Sequence, residues 1–455
     1  MRSRKLSQFS PSRTILISVF ITIIIGTFFL CLPCARTTKE PITLALVLDM
    51  FFTATSVTCV TGLFPFNIRT TFTSFGHVVL MLLMQVGALG LITMTLFFMA
   101  LFTRLGLTTQ LMAGQVLEVE RLKKMRNLVL SIVTIALGTE LIGAIFMFIG
   151  IRHYYPYPLD TSIFRAIFQA IASFCNAPGV TLLDNGIIPP NSATLLITST
   201  CLVFFGGMGF IVWREMLAYI ASFWKKRRHV FTLHSWIVIF VSTAIVVSAS
   251  AMFFILERNN TMINLSWPYQ IINSVFHAVT SRSSGVLSTD LINFVPATIF
   301  VIMIISFIGS APGSPGSGIK VTNLAIFFAA VKATIYGRSH VSIHGRKIAM
   351  DQIYKSIAII FLSIIWILIA TLLLMITEGS KSWNLQDILF ENISAFANLG
   401  LTTGITEYLS SLGKIFVIIG MIVGRIGGLT FLLALKRIHK EKREITYPEE
   451  RIMLS

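Results

Sequence analysis

Eight apolar stretches long enough to cross a bilayer as helices recur along this chain, at residues 14–33, 77–103, 127–150, 193–222, 232–256, 297–335, 352–377 and 412–435. A helix needs about 20 apolar residues to span the hydrocarbon core, so such a chain must fold in lipid. Composition agrees: 55% of the 455 residues are hydrophobic and 12% are charged, whereas a soluble domain carries roughly 25% charged residues. The stretches run the whole length of the chain, so one membrane body is expected, without an appended soluble or catalytic domain.

The formal charge of +17 would suit a nucleic-acid binder only if the basic residues gathered on one folded surface. Instead they fall in short segments, at Arg2 to Arg13, Arg121 to Arg126, Lys225 to Arg228, Arg338 to Lys347 and Lys436 to Arg443. An even number of expected crossings separates each cluster from the next. All therefore lie on one side, the cytoplasmic side by the positive-inside rule, together with both termini. Cys31, Cys34, Cys59, Cys175 and Cys201 sit mostly within apolar sequence without a ligand pattern, and the eight His residues are scattered, so no metal site is expected. Residues 14–33 are too long for the apolar core of an export signal, about 7 to 15 residues, and read as a retained anchor helix.

Between the members of each pair of crossings lies a shorter segment, at 46–58, 161–176, 268–281 and 385–397, and each runs into a polar stretch containing glycine. Irregular backbone at membrane depth survives only where it lines a wet cavity or is buried in protein, so these segments read as re-entrant half-helices. The glycines that mark them are Gly62, Gly179, Gly285 and Gly400, separated by 117, 106 and 115 residues. A second marker follows: Gly87-Ala88-Leu89-Gly90, Gly206-Gly207-Met208-Gly209, Gly309-Ser310-Ala311-Pro312 and Gly424-Arg425-Ile426-Gly427 lie 25, 27, 24 and 24 residues further on. Four repeats result, at 1–110, 111–228, 229–347 and 348–455, each reading helix, half-helix, loop, helix. The expected fold is an all-α integral membrane protein of eight transmembrane helices and four pore half-helices around a pseudo-fourfold axis. Inverted repeats of a secondary transporter would show an odd number of crossings per unit or an antiparallel match.

Four loops about one axis suit a desolvated cation, because backbone carbonyls can replace its water without burying a charge. Glycine permits the angles that turn carbonyls inward. The candidate filter residues are Thr58, Thr61 and Gly62; Asn176 and Gly179; Ser284 and Gly285; Leu399 and Gly400. In the sixth stretch, Gly309, Gly313, Pro312, Pro315, Gly316 and Gly318 must break the helix ahead of Lys320. A nucleotide P-loop is excluded there, because Ile319 separates Gly318 from Lys320. Arg425 lies in the middle of the last apolar helix, where a charge costs about 2.5 to 3.5 kcal/mol on insertion scales; it faces water or the pathway, or pairs with a neighbouring helix. Lys320 either joins Arg425 or snorkels to the interface. Asp49 and Glu391 start half-helices, and either draw cations to the outer mouth or cap the helix N-termini.

These features together resemble the Trk/Ktr/HKT superfamily of potassium transporters, and within it the KtrB type. The matching motifs are Asp49-Met50-Phe51-Phe52-Thr53-Ala54-Thr55-Ser56 leading into Val60-Thr61-Gly62-Leu63, Gln85-Val86-Gly87-Ala88-Leu89-Gly90, and Ser394-Ala395-Phe396 through Gly400-Leu401-Thr402-Thr403-Gly404-Ile405-Thr406. The resemblance implies K+ as the transported ion, held at the carbonyls near Gly62, Gly179, Gly285 and Gly400. Glycine rather than serine at position 62 favours K+ over Na+. It also implies that residues 309–320 form an intramembrane gating loop and that Arg425 is a pore arginine below the filter. Ser310, Ala311, Pro315 and Ser317 depart from the family's usual residues in that loop. The second loop departs too: in Cys175-Asn176-Ala177-Pro178-Gly179, either Pro178 is inserted and Gly179 keeps the filter role, or Pro178 replaces the glycine.

The expected function is potassium uptake through the ion-conducting subunit, driven by the membrane potential, in the plasma (bacterial inner) membrane. The resemblance implies a homodimer and a cytosolic ring of nucleotide-binding RCK-type regulatory subunits. No enzyme activity and no covalently bound cofactor are expected, with Na+ as an activator or alternative substrate. The alternatives are a sodium-permeable or cation-coupled symporter of the same fold, and a non-conducting accessory subunit.

Overall fold

The computed structural model describes residues 11–38, 41–89, 125–177, 181–224, 230–379, 381 and 383–435. The described chain is helical almost throughout. α1 (Pro11–Cys31), α2 (Leu44–Thr58), a single turn α3 (Ile68–Thr71) and α4 (Ser74–Ala88) come first. α5 (Met125–Tyr154), α6 (Leu159–Phe174), α7 (Ala193–Gly207) and α8 (Phe210–Trp224) follow. Next are α9 (Leu233–Glu257), α10 (Trp267–Ser283), α11 (Pro296–Phe307) and α12 (Val321–Ile335), then a two-stranded hairpin, β1 (Ser342–Ile343) with β2 (Arg346–Lys347). α13 (Met350–Thr377), α14 (Leu385–Ala397), α15 (Ser411–Ile426) and α16 (Gly428–Leu435) complete the described chain. The short helices α2, α6, α10 and α14 begin and end within a few residues of the segments expected to be re-entrant.

Local chemistry sets many of these starts. The hydroxyls of Thr43, Thr73, Thr232 and Ser410 accept from Leu46 N, Gly76 N, Ser235 N and Gly413 N at 3.1–3.3 Å, satisfying amides that a helix start leaves without partners. Pro268 and Pro296 open α10 and α11, where a missing N–H costs nothing.

Among the described residues, three single helices are long and apolar enough to cross a membrane: Leu130–Tyr154, Leu233–Glu257 and Met350–Thr377. The stretch 193–222, read above as one crossing, is instead broken: α7 and α8 meet at 103°. Gly209 makes the corner, with φ +83 and the Pro312 carbonyl 2.6 Å from where a Cβ would stand. The stretch 412–435 is interrupted between α15 and α16 at Gly427, φ +89, and the stretch 297–335 breaks at 308–320 as its Gly/Pro content requires. The apolar composition continues across the first two breaks, so hydropathy alone does not reveal them. Residues 90–103 of the second stretch, residues 2–10 of the first basic cluster and 121–124 of the cluster at 121–126, and the clusters at 225–228 and 436–443, lie outside the described residues.

The packing repeats along the chain. α1 lies on α2, α5 on α6, α9 on α10 and α13 on α14. Each half-helix then packs on the helix that follows its loop: α2 on α4, α6 on α7, α10 on α11 and α14 on α15. Finally α4 touches α6, α7 touches α10, α11 touches α14, and α15 returns to α2. That last set of contacts closes a ring.

The outside of this ring is apolar, and the interior mixes an apolar core with many buried hydroxyls. α13 exposes Phe361, Leu368, Leu372 and Ile376, each 59% or more accessible. By contrast Thr53, Thr55, Ser56, Thr61, Ser281, Ser284 and Ser394 are wholly buried. Such an exterior is stable only against lipid.

Candidate functional site

The half-helices end at the centre of the ring, and three of their ends share one backbone form. Val60 (φ 61), Asn176 (φ 52) and Asn398 (φ 52) each take the left-handed conformation, which costs a non-glycine residue roughly 1–2 kcal/mol. The next amide in each case bonds back to the half-helix: Thr61 N to Ser56 O at 2.7 Å, Ala177 N to Ala172 O at 2.9 Å, and Leu399 N to Ser394 O at 2.8 Å. Two residues beyond the left-handed one stand Gly62 (φ +91) and Gly400 (φ +79). Gly62 N donates to the Ser56 hydroxyl at 2.9 Å. The third end is different: Ser284 N and Gly285 N both bond Thr280 O at 2.8 Å, and Gly285 takes φ +57.

A second contact fixes the register. A Cβ on Gly87 would collide with the Thr58 carbonyl, one on Gly206 with that of Phe174, and one on Gly424 with that of Phe396. Thr58, Phe174 and Phe396 each lie two residues before the left-handed position. Counting on from Asn176 as from Val60 and Asn398 therefore arrives at Pro178, with Gly179 one residue later; both lie outside the described residues.

Packing brings neighbouring ends together. Cys59, Leu63, Cys175 and Ala177 share one apolar cluster, Phe174, Leu183 and Val286 a second, and Leu287, Leu399 and Leu401 a third. Asn398 Nδ2 closes the circle by donating to Cys59 O at 2.7 Å. The hydroxyls of Thr58, Thr61, Ser281, Ser284 and Ser394 are buried and have no hydrogen-bond partner, although buried polar groups are nearly always paired. Hydroxyl oxygens of this kind, beside helix C-termini with their partial negative charge, are groups that a cation could take as ligands.

Two polar networks that sequence reasoning missed brace the chain after the glycines. In the fourth unit Glu391 accepts from Thr402 Oγ1 at 2.8 Å and from Thr406 Oγ1. In the third, Ser288 Oγ lies 2.9 Å from His277 Nε2 and donates to Asn273 Oδ1 at 2.6 Å. His277 and Glu391 hold the same place, six residues before their half-helix ends, where α2 and α6 carry the buried Phe52 and Phe168. Glu391 and Asp49 thus do not cap half-helices, which begin at Leu385 and Leu44; Asp49 instead pairs with Lys414 Nζ of α15 at 2.5 Å.

Residues 308–320 pack on the break between α7 and α8. Ile319 N bonds Phe307 O at 3.1 Å, Ala311 N bonds Gly207 O at 3.1 Å, and Phe210 N bonds Gly313 O at 3.2 Å. Gly309 touches the Ser317 carbonyl and Gly316 the Ser310 side chain so closely that neither admits a Cβ. Gly313 (φ +75) and Gly318 (φ +74) supply angles that L side chains avoid. Lys320 stands at the N-cap position of α12 and folds its Nζ back onto Gly316 O rather than reaching outward. Arg425 is 8% exposed; it donates to the Gly87 carbonyl, and its Nε has no partner. Among the described residues no carboxylate pairs with it, so the inter-helix salt bridge is not formed. Buried Arg282, which the sequence reading passed over, lies close enough to Lys320 for their charges to interact, as does Arg425.

A cavity of about 370 Å³ is lined by Phe64, Asn67 and Arg69, by Thr181 and Leu183, and by Glu407, so it joins the loops that follow three of the four ends. Asp184 beside it is held by Arg69 at 2.6 Å and Arg165 at 3.6 Å.

Residues 20–445 match the model of a family described as TrkH, cation transport protein. The chain is 34% identical to Ktr system potassium uptake protein B of Vibrio alginolyticus, over 97% of this chain and 94% of that one. It is 30% identical to the potassium/sodium uptake protein NtpJ of Enterococcus hirae, over 100% and 99%. Its fold resembles the crystal structure of the potassium transporter TrkH from Vibrio parahaemolyticus, with TM-score 0.68, 15% identity, and 96% and 87% of the two chains covered. Family match and full-length relatives agree: the chain belongs to the Trk/Ktr family of cation transport proteins, which are transporters and not enzymes.

Proposed function

We propose that the chain is the ion-conducting membrane subunit of a potassium uptake system. In this reading, four units of helix, half-helix, loop and helix make eight crossings about one pore. K+ sheds its water at carbonyls of the four loops, near Gly62, Gly285, Gly400 and the second-loop residue that answers to them. The observation that carries the reading is the closed ring of half-helix ends, with left-handed or glycine residues turning the backbone and unpaired hydroxyls beside them. Beneath the ring, residues 309–320 obstruct the path, and Arg425 with Lys320 and Arg282 sets a positive barrier.

Uptake is passive, driven by the membrane potential, which supplies about 2.3 kcal/mol per charge per 100 mV. The exposed apolar belt and the one-sided basic clusters support a plasma (bacterial inner) membrane location with both termini cytoplasmic. A homodimer regulated by a cytosolic RCK-type ring belongs to the same reading and rests on the resemblance to the KtrB type; the relatives' names say only that they serve a Ktr potassium uptake system. Permeation of Na+ beside K+ is the second reading. It is favoured by the register that leads from Asn176 to Pro178, because proline cannot take the positive φ of Gly62 and Gly400.

Radioactive rubidium uptake into proteoliposomes tests the mechanism. With an inside-negative potential, rubidium should accumulate. With the potential clamped at zero it should not, whatever Na+ or proton gradient is imposed. Accumulation at zero potential on a Na+ or proton gradient would establish symport instead.

A further inference from the structure

We propose that Asn398 is a positioning residue that couples the gating loop to the filter, and that Ser317 is its handle on the loop; the inference rests on the conduction reading above. The Asn398 amide spends both of its protons across unit boundaries. Nδ2 donates to the Cys59 carbonyl at 2.7 Å, at the end of the first half-helix, and to Ser317 Oγ at 2.9 Å, in the broken segment of the sixth stretch. Three segments far apart in sequence thus meet at one side chain that is 2% exposed. Asn398 has little freedom to release either partner, because it sits in the left-handed conformation next to Leu399, whose amide is fixed to Ser394 O. Its Oδ1 has no partner.

Cys59 immediately precedes Val60, the left-handed residue from which the Thr61-Gly62 turn starts, so a hydrogen bond to the Cys59 carbonyl bears on the orientation of the first filter loop. Ser317 is equally well placed. Its carbonyl packs on Gly309 and its neighbour Gly316 on the Ser310 side chain, so the loop cannot swing away while Ser317 stays. Opening therefore requires the Asn398–Ser317 bond to break. The freed amide then rests on Cys59 O alone, and loop position and filter geometry become linked quantities. Either acceptor could be missing without the half-helix losing its own backbone bonds, which makes this a coupling device rather than a fold determinant.

The test uses the full chain in proteoliposomes, comparing wild type, Ser317→Ala, Asn398→Leu and the double variant. Potential-driven rubidium uptake is measured with K+ or Na+ as competitor. Losing one hydrogen bond shifts an equilibrium by about 5-fold. Ser317→Ala should therefore raise basal uptake about 5-fold and, because loop and filter are linked through Asn398, also weaken the K+ over Na+ preference. Asn398→Leu should raise uptake similarly and also reduce the preference, and the double variant should match Asn398→Leu. The coupling is overturned if Ser317→Ala, at wild-type melting temperature, leaves uptake unchanged, or if the two effects on uptake multiply. A wild-type protein that conducts neither cation would overturn the conduction reading itself, and the coupling with it.

Discussion

Single charges in this protein are placed where their neighbours decide their state. Glu378, just beyond α13, is 2% exposed. Its Oε1 accepts from Ser410 N at 2.9 Å and Ser410 Oγ at 2.5 Å, and its Oε2 from Lys381 at 2.9 Å. Burial alone would raise its pKa, but the bonds from Ser410 and Lys381 outweigh it and hold the carboxyl below its ordinary value of 4.5. A depressed carboxyl contributes stability above its unfolded pKa and loses it as the pH falls through the folded one. Thermal unfolding should therefore show a fall in melting temperature below about pH 4.5 that Glu378→Gln lacks. Arg425 acts at the same scale. Unit charges about 8 Å apart at an effective dielectric near 20 repel by about 2 kcal/mol, so Arg425→Ala should raise basal rubidium uptake by about 30-fold. Unchanged uptake would remove Arg425 from the pathway.

The elements are held to one another by bonds that cross unit boundaries. Lys414 of α15 reaches Asp49 of α2 at 2.5 Å, with side chains only 14% and 24% exposed. This links the last unit to the first, beside the Asn398 contact. Asp49→Asn should cost about 1.5–3 kcal/mol in denaturant unfolding, and Lys414→Met in the same chain should recover part of it, since a buried charge left alone is what costs most. A double variant as unstable as the sum of the two singles would contradict the pairing. The short helices α2, α6, α10 and α14 were legible in the sequence because each is a short apolar run followed by a polar stretch containing glycine, and the Gly/Pro content of 309–318 announced its break. The breaks at Gly209 and Gly427 were hidden, since Phe210-Ile211-Val212-Trp213 and Gly428 to Leu435 carry the apolar composition straight on past them. Partners were hidden as well. Nothing local to Arg425 indicates that the Gly87 carbonyl, rather than a carboxylate, receives it, and nothing near Asn398 points to Ser317.

At the scale of the molecule, helix pairs repeat and the fourth unit returns to the first, while the lipid-facing surface stays apolar. The proposed homodimer predicts that the detergent-solubilised protein, with detergent mass subtracted, scatters light as about twice the 50.5 kDa chain; a single-chain mass would remove that proposal. The ring itself makes the strongest commitment, because the carbonyls around it are expected to choose between ions. Gly62 (φ +91) is the position at which a side chain should disturb that choice most. The most direct test is competition by K+ and Na+ against radioactive rubidium uptake in proteoliposomes, for wild type and Gly62→Ser. Uptake by the wild type should be blocked by K+ and hardly by Na+, and Gly62→Ser should lose much of that distinction while still conducting. Equal blocking of the wild type by both ions, or a preference that Gly62→Ser leaves intact, would show that the ring does not select potassium at these loops.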